Sequence, residues 1–254
     1  MADIKNGQTQ IQTEDELIIG RNPVSEALKG HREIDTVYVA KGERNGTLGV
    51  IIGKAREAGI VIKEVDRRKL DAMCSGSNHQ GVAARAAASR YCDVREILDS
   101  AAEKGEDPFI VVCDEIEDPH NLGAIIRTVD ACGAHGVIIP KRHGVSLTYA
   151  VGKASAGATE HVPVARVSNL ASTLEELKKQ GFWVYGADMD GEPWDKVDYS
   201  GPIALVIGSE GKGIGRLIKQ KCDFIVSLPM KGKVNSLNAS VAAGILMYEV
   251  IKHR

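Results

Sequence analysis

Short apolar runs alternate with longer amphipathic stretches along most of the chain. In the C-terminal part the runs are almost continuously apolar, which is typical of strands buried on both faces of a parallel sheet. The predicted strands there are Phe109–Cys113, Gly136–Ile139, His161–Val164, Phe182–Tyr185, Ile203–Ile207 and Phe224–Ser227. Helical spacing separates most of them, at Leu122–Cys132, Leu170–Gln180 and Ile214–Lys221. This alternation predicts an α/β domain whose parallel sheet is covered by helices on both faces.

The N-terminal part shows the same alternation with shorter elements. A first helix is predicted to begin at Asn22-Pro23 and to stop at Gly30. The elements predicted after it are a strand at Val37–Ala40, a helix at Thr47–Ala58, a strand at Gly59–Val65, a helix at Arg67–Met73 and a strand at Gly81–Ala87. They are sufficient for a small α/β domain with its own core.

These patterns divide the chain into four parts. Residues 1–15 are polar and are predicted to be a disordered leader, and residues 16–90 form the small domain. Residues 91–107 are predicted to be a linker stiffened by one amphipathic helix. Residues 108–254 form the larger α/β domain.

Composition narrows the class of protein. Of the 254 residues, 43% are hydrophobic and 26% are charged, as expected of a soluble globular protein. The sequence lacks an apolar run of the roughly 18 residues that a membrane helix needs, so no membrane partner is expected. The five cysteines are scattered, which favours a reducing cytoplasm over a disulfide framework. The seven histidines are isolated, and no metal site is predicted.

The charge distribution is uneven although the formal net charge is only -2. Residues 16–92 contain 13 lysines and arginines against 9 aspartates and glutamates. Such an excess suits contacts with phosphate groups. An imbalance of this size is equally typical of a solvated protein face.

The last predicted helix, Leu237–Lys252, has almost no polar face in its first three turns. A helix that is apolar all round is buried. Either the same chain or a second subunit can cover it, and we favour a homodimer formed through this helix.

Three strand-to-helix junctions carry polar side chains at the carboxyl ends of predicted strands, where open α/β sheets bind ligands. At the first junction Asn121 is predicted to be the N-cap of a helix. Arg127 follows Gly123 by four residues and is expected on the same helical face. The structural alternative pairs Arg127 with Asp130 on a solvated surface.

The second junction, Gly208-Ser-Glu210-Gly-Lys-Gly213, is a glycine-rich turn after a predicted strand. It matches neither the phosphate loop nor the dinucleotide fingerprint, so neither kind of nucleotide site is predicted. The structural alternative is a flexible loop with a solvated Glu210.

The third junction places four polar residues at the start of the apolar last helix. They are Asn235, Ser236, Asn238 and Ser240. One of them is needed as a cap, and four are more than capping requires.

Asp188 and Asp190 are predicted to lie on a loop or a helix face and are assigned no role.

Taken together, these residues resemble the SpoU/TrmH family of RNA ribose 2'-O-methyltransferases, within the SPOUT superfamily. The first family motif is similar to Asp118-Pro-His-Asn121-Leu-Gly123-Ala-Ile-Ile-Arg127, and the second to Gly208-Ser-Glu210-Gly. The third is similar to Leu228-Pro-Met followed by Ser236-Leu-Asn238-Ala-Ser240. Residues 19–28 and 79–83 resemble the N-terminal RNA-binding domain of the RlmB-type subgroup, which acts on 23S ribosomal RNA.

The resemblance implies a deep trefoil knot in the C-terminal domain, a homodimer and S-adenosylmethionine as the cofactor. Position matching places backbone contacts with the cofactor at Gly208, Leu228 and Leu237. It also makes Arg127 the main catalytic residue. Four further positions would support it, namely Asn121, Glu210, Ser236 and Asn238.

The implied reaction is methyl transfer to a ribose 2'-hydroxyl of RNA, in particular of a guanosine in 23S ribosomal RNA; the need for this hydroxyl excludes DNA. Arginine is a poor base because its pKa exceeds about 12. We therefore expect Arg127 to bind a neighbouring phosphate and stabilise developing alkoxide charge, with Glu210 orienting the guanidinium. Three alternatives stay open: a tRNA methyltransferase, an RNA-binding protein without catalysis, and a ribosome-methylating antibiotic-resistance enzyme.

Overall fold

The computed structural model describes residues 17–29, 34–42, 46–87 and 90–254. Contacts divide the chain into two compact units, with the division between Ala86 and Ala87. The predicted leader and the predicted helix stop at Gly30 lie outside the described residues.

The first unit contains a mixed four-stranded sheet. Its strands are β1 (Leu17–Ile19), β2 (Ile34–Ala40), β3 (Val61–Val65) and β4 (Val82–Ala86), in the spatial order β1-β4-β2-β3. Its helices are α1 (Arg21–Ala27), α2 (Thr47–Glu57) and α3 (Arg67–Met73). Strand β2 runs parallel to β3 and antiparallel to β4. The pattern did not predict β1, because three residues are too few to show a period.

Successive residues of β2 supply the two small cores of this unit. Val37 and Val39 pack on one face with Leu48 of α2, whereas Tyr38 packs on the other face with Leu70 of α3. All seven residues of β2 are buried. The strand is therefore covered on both faces, as its apolar run Val37–Ala40 suggests, and the polar residues Asp35 and Thr36 are buried with it.

The second unit contains a six-stranded sheet in which every pairing is parallel. The strands are β5 (Phe109–Cys113), β6 (Gly136–Pro140), β7 (Val164–Val167), β8 (Trp183–Pro193), β9 (Ile203–Ile207) and β10 (Phe224–Ser227). Their spatial order is β10-β8-β9-β5-β6-β7. The predicted parallel α/β fold is confirmed. The strand order does not itself establish a trefoil knot, which stays a prediction.

Helices cover both faces of this sheet. They are α4 (Val94–Lys104), α5 (Pro119–Cys132), α6 (Tyr149–Ala154), α7 (Leu170–Lys179), α8 (Arg216–Lys219) and α9 (Ala239–Lys252). Phe109 and Val111 point into the core formed with α5, α6 and α9, whereas Ile110 and Val112 point into the core formed with α4, α7 and α8. Because side chains alternate along a strand, β5 needs apolar residues at every position.

Two strands predicted in the second unit differ from the structure by more than one residue at an end. The strand predicted at His161–Val164 begins only at Val164, since His161 ends a single helical turn and Pro163 has no N–H to donate to a sheet. The strand predicted at Phe182–Tyr185 continues to Pro193. Its second half is polar, so apolar spacing could not reveal it.

The segment predicted as a linker contributes to the second unit. Helix α4 begins with a capping box between Asp93 and Glu96 and ends at Gly105 in the left-handed conformation. Ile97 of this helix is fully buried with the core of the sheet.

Helix α9 is only half covered by its own chain. Ala243, Met247 and Val250 are buried, but Val241 is 50% exposed and Tyr248 is 55% exposed. The single chain therefore does not cover the whole apolar surface of α9, and its burial by a second subunit stays a prediction. Among the described residues, no helix is long and apolar enough to cross a membrane.

Candidate active site

A cavity of about 390 Å³ opens at the carboxyl ends of β9 and β10, beside the middle of β8. We call it the strand-end cavity. Three segments supply most of its lining: residues 187–189, residues 207–213 and residues from 226 to 242. Its volume lies within the range of about 300–1,000 Å³ that small-molecule sites occupy.

The loop after β9 is a tight turn that closes on itself. The backbone amides of Ser209 and Gly213 each donate to the other's carbonyl, at 3.1 and 2.9 Å. A Cβ at Gly208 would lie only 2.1 Å from the carbonyl carbon of Gly213, so no larger residue fits there. Gly211 and Gly213 have φ angles of 80° and 66°, which glycine adopts readily. The backbone conformation of this turn therefore explains why glycines occur at the second junction.

A buried carboxylate supports the far end of this loop. Asp114, directly after β5, is 5% exposed and accepts a 2.7 Å hydrogen bond from the Gly215 backbone N–H. Burial raises the pKa of the Asp114 carboxyl, and this hydrogen bond opposes the rise. The central strand and the loop are therefore joined at the edge of the cavity.

The structure brings together one polar residue from each of the three junctions. The Asn121 side-chain amide donates to Glu210 Oε1 at 3.0 Å. The Asn238 amide donates to Asn121 Oδ1 at 2.8 Å and also to Glu210 Oε1. These residues are separated by up to 117 positions in the sequence. We call this arrangement the Asn–Glu–Asn cluster.

Asn121 does not cap its helix, contrary to the prediction. Asp118 is the N-cap of α5 and accepts from the His120 backbone N–H at 2.8 Å, with Pro119 in the first turn. Asn121 is instead 5% exposed and directs its amide toward the cluster. The pattern was misleading because either residue is a good N-cap.

Arg127 lies apart from the cluster within one chain. Six residues separate it from Asn121, which corresponds to a rotation of roughly 240° and a rise of about 9 Å along α5. The arginine is exposed, and no ion pair or hydrogen bond joins it to any described residue, Asp130 included. Gly123 is buried instead against α6, where a Cβ would lie 2.5 Å from that of Ala154.

The third junction divides its polar residues between two roles. Asn238 is the N-cap of α9 and accepts from the Ser240 and Val241 backbone amides at 3.0 and 3.3 Å. Asn235 and Ser236 instead line the strand-end cavity. Capping therefore accounts for Asn238 and cavity lining for Asn235 and Ser236, whereas the Ser240 hydroxyl donates to Asn238 Oδ1.

The residues predicted to hold a cofactor also meet at the cavity. Gly208, Leu228 and Leu237 are all part of its lining, together with Glu210 and Ser236. Asp188 lines the cavity too, although no sequence pattern selected it. The described residues contain no group of three or more His, Cys, Asp or Glu side chains placed to hold a metal ion.

Fold and site together define a parallel α/β protein with a small-molecule cavity at its strand ends. Two family models match the sequence. The SpoU rRNA Methylase family matches residues 108–248, and the RNA 2'-O ribose methyltransferase substrate-binding domain matches residues 17–92.

Similar proteins agree with these matches. A Bacillus subtilis TrmH family tRNA/rRNA methyltransferase, YacO, is 54% identical over 93% of this chain and 95% of its own. An AdoMet-bound rRNA methyltransferase from Sinorhizobium meliloti is 25% identical, with a TM-score of 0.59 over 93% of this chain and 87% of its own. The A. aeolicus TrmH/SpoU tRNA modifying enzyme is 30% identical, with a TM-score of 0.51 over 58% of this chain and 75% of its own.

The chain belongs to the SpoU rRNA methylase family. Membership confirms the class predicted from the sequence, an RNA methyltransferase that uses S-adenosylmethionine.

Proposed function

We propose that this protein transfers a methyl group from S-adenosylmethionine to the ribose 2'-hydroxyl of a guanosine in 23S ribosomal RNA. The observation that carries the proposal is the Asn–Glu–Asn cluster, which joins the three family motifs beside the strand-end cavity. The guanosine rests on the subgroup resemblance.

The cavity suits the cofactor in size and in chemistry. Its lining is mainly apolar, with a few polar side chains and the backbone of two loops, as in other small-ligand sites. Gly208, Leu228 and Leu237 would hold the cofactor through their backbone groups. Bound S-adenosylmethionine supplies a methyl group on a sulfonium, which is already a strong electrophile.

The protein's own task is then to align the hydroxyl and help remove its proton. Glu210 is held by two amide donors and thereby fixes the edge of the cavity. Ser236 would contact the ribose from the facing loop. Arg127, exposed and without a described partner, is available to bind an RNA phosphate and stabilise negative charge.

Unpaired lysines near the cavity support an RNA substrate. Lys212 lines the cavity, and Lys231 and Lys233 lie on the loop that supplies Met230 and Asn235 to its lining. None of these lysines has an ion pair or hydrogen bond with a described residue. Their charges are therefore available for phosphate groups.

Aligned length favours ribosomal RNA over tRNA. The S. meliloti rRNA methyltransferase aligns with 93% of this chain, whereas the A. aeolicus tRNA modifying enzyme aligns with 58%. The additional length includes the part that matches the substrate-binding model. A tRNA substrate is the second candidate, because the name of the B. subtilis relative YacO includes both tRNA and rRNA.

We also propose a homodimer through α9 and a knotted C-terminal domain. The α9 face with Val241, Ile245 and Tyr248 is apolar and at least 37% exposed at each residue. Gly244 of α9 lies beside Thr128, the neighbour of Arg127, so a subunit on this face would also approach the arginine.

An RNA substrate and five free cysteines support a cytoplasmic location.

Two measurements test the proposed function. Purified protein should bind S-adenosylmethionine in calorimetry and should methylate unmodified 23S ribosomal RNA at one ribose. Arg127→Ala should lose methyl transfer while keeping cofactor affinity, and Arg95→Ala, an exposed arginine on α4, should change neither. Cofactor binding without methylation of ribosomal RNA or tRNA would favour an inactive RNA-binding protein. Full activity of Arg127→Ala would contradict the catalytic assignment.

A further inference from the structure

Strand β8 carries a large bulge at the edge of the strand-end cavity. Its pairing with β10 is regular up to Gly186, opposite Ile225, and resumes at Glu192, opposite Val226. The five residues between them have no partner on β10. A bulge of this kind redirects side chains and is frequent beside active sites.

The bulge is fixed by close backbone contacts. A Cβ at Gly191 would lie 2.5 Å from the carbonyl group of Ile225, so only glycine fits there. The Ser227 hydroxyl donates to the Gly191 carbonyl at 2.9 Å. These contacts fix the end of the bulge closely against β10, and three of the intervening positions, residues 187–189, line the cavity.

Asp188 is the bulge residue with chemistry of its own. One carboxylate oxygen accepts from the Met189 backbone N–H at 2.7 Å, and the other lies 3.1 Å from Lys219 Nζ. Lys219 also binds Asp190, at 2.5 Å. The Asp188 side chain is only 19% exposed. Its orientation is therefore set from two sides.

A held carboxylate at the cavity wall suits a ligand that donates hydrogen bonds. An ionised carboxylate has about four acceptor positions, and these two contacts leave acceptor capacity at Asp188. The ammonium of Lys219, which Asp188 shares with Asp190, offsets part of its charge, so Asp188 is not an isolated negative charge. Glu210, the other carboxylate in the lining, is already engaged by two asparagines.

We propose that Asp188 accepts a hydrogen bond from an N–H or O–H group of bound S-adenosylmethionine, and that Lys219 is the positioning residue for this carboxylate. The inference rests on the proposed function. The sulfonium of S-adenosylmethionine has no N–H or O–H group, so the group that donates to Asp188 lies elsewhere in the molecule. S-adenosylhomocysteine, the demethylated product, has the same N–H and O–H groups.

Calorimetry with both ligands tests the proposal on the full chain. Asp188→Ala should raise the Kd for S-adenosylmethionine and for S-adenosylhomocysteine by about 10- to 100-fold, the range for a hydrogen bond to a charged group. Asp188→Asn keeps one acceptor oxygen and should show a smaller loss. It also serves as the second variant if the alanine variant fails to fold.

Variants of Lys219 test whether this lysine positions the Asp188 carboxylate or only stabilises the fold. Lys219→Met should weaken both ligands about five- to tenfold, and Lys219→Arg should restore most of the affinity. Lys221→Met is the matched control, since Lys221 pairs with Glu175 of α7, away from the cavity lining, and should bind both ligands normally.

Two results would overturn the inference. One is a folded Asp188→Ala protein with wild-type Kd values for both ligands. The other is a loss confined to S-adenosylmethionine, which would place Asp188 opposite the sulfonium. If the wild-type protein binds neither ligand, the proposed function itself is wrong, so the two failures are distinguishable.

Discussion

Gly208→Ala tests whether the tight turn after β9 is what shapes the cavity. A Cβ at this position would lie 2.1 Å from the Gly213 carbonyl carbon and 2.3 Å from the Ile214 nitrogen. Real Cβ contacts essentially never fall below 3.0 Å, so the facing backbone must move by at least 0.9 Å. Both obstructing groups are main chain and cannot rotate away.

The size of the effect follows from that displacement. Forcing one extra carbon into a closely packed site costs about 1–3 kcal/mol. For a unit of this size each kcal/mol lowers the Tm by about 2–4 °C, so we expect a decrease of about 2–12 °C. A shift of about 1 Å in a positioning loop can reduce catalysis about a hundredfold. The Kd for S-adenosylmethionine should rise at least tenfold.

Thermal unfolding, calorimetry and methyl-transfer rates measure these three effects. Gly232→Ala is the matched control, because Gly232 lies on the other cavity loop and a Cβ there would meet no atom within 4 Å. Its Tm should be unchanged or slightly higher, since alanine reduces the entropy of the unfolded chain. A Gly208→Ala protein with wild-type Tm and Kd would refute the reasoning.

Three further predictions concern other parts of the second unit. Glu210→Ala should lower the free energy of unfolding by about 1–2 kcal/mol because two hydrogen bonds are removed, and Glu210→Gln should lower it by less. If denaturant titrations give both variants the stability of the wild type, the Asn–Glu–Asn cluster does not stabilise the protein. Replacing Lys231 and Lys233 together by Ala should weaken binding to RNA of any sequence. It should also reduce the slope of log binding constant against log salt concentration by about 0.7 for each phosphate that is no longer neutralised. Lys179→Ala should change neither quantity, and an unchanged slope in the double variant would contradict the assignment. Burial lowers the pKa of His135 below its ordinary 6.5, so the unfolded state binds more protons and stability should fall as pH drops below about 6.5. His135→Gln should flatten that part of the unfolding profile, and an unaltered profile would count against this origin.

Apolar spacing predicted the sheet of the second unit well because β5 and β9 are buried on both faces. The spacing predicted their bounds without error, Phe109–Cys113 and Ile203–Ile207. It failed for the second half of β8, where a polar bulge replaces the apolar run. Local spacing contains no information about such a register change, and so Asp188 could not be selected.

The candidate site was predictable in its parts but not in its assembly. Motif matching selected Asn121, Glu210 and Asn238, and the structure joins them by hydrogen bonds. The sequence could not show that Asn121 turns inward while Asp118 caps the helix, because both residue types cap well. Six helical residues do turn Arg127 roughly 240° from Asn121, but the sequence could not show that Asn121 lies on the buried face of α5.

The order of synthesis has a consequence for the strand-end cavity. Its lining begins at Ala187 and extends to Leu246, whereas the central strand β5 is complete at Cys113. A ligand that binds only the folded site adds stability by mass action, but it cannot act on a nascent chain that has not yet passed Leu246. The early strands must therefore find their distant parallel partners without that help, and such non-local pairing is slow. The cofactor can stabilise the finished domain, but it cannot guide pairings that form before Leu246 has been synthesised.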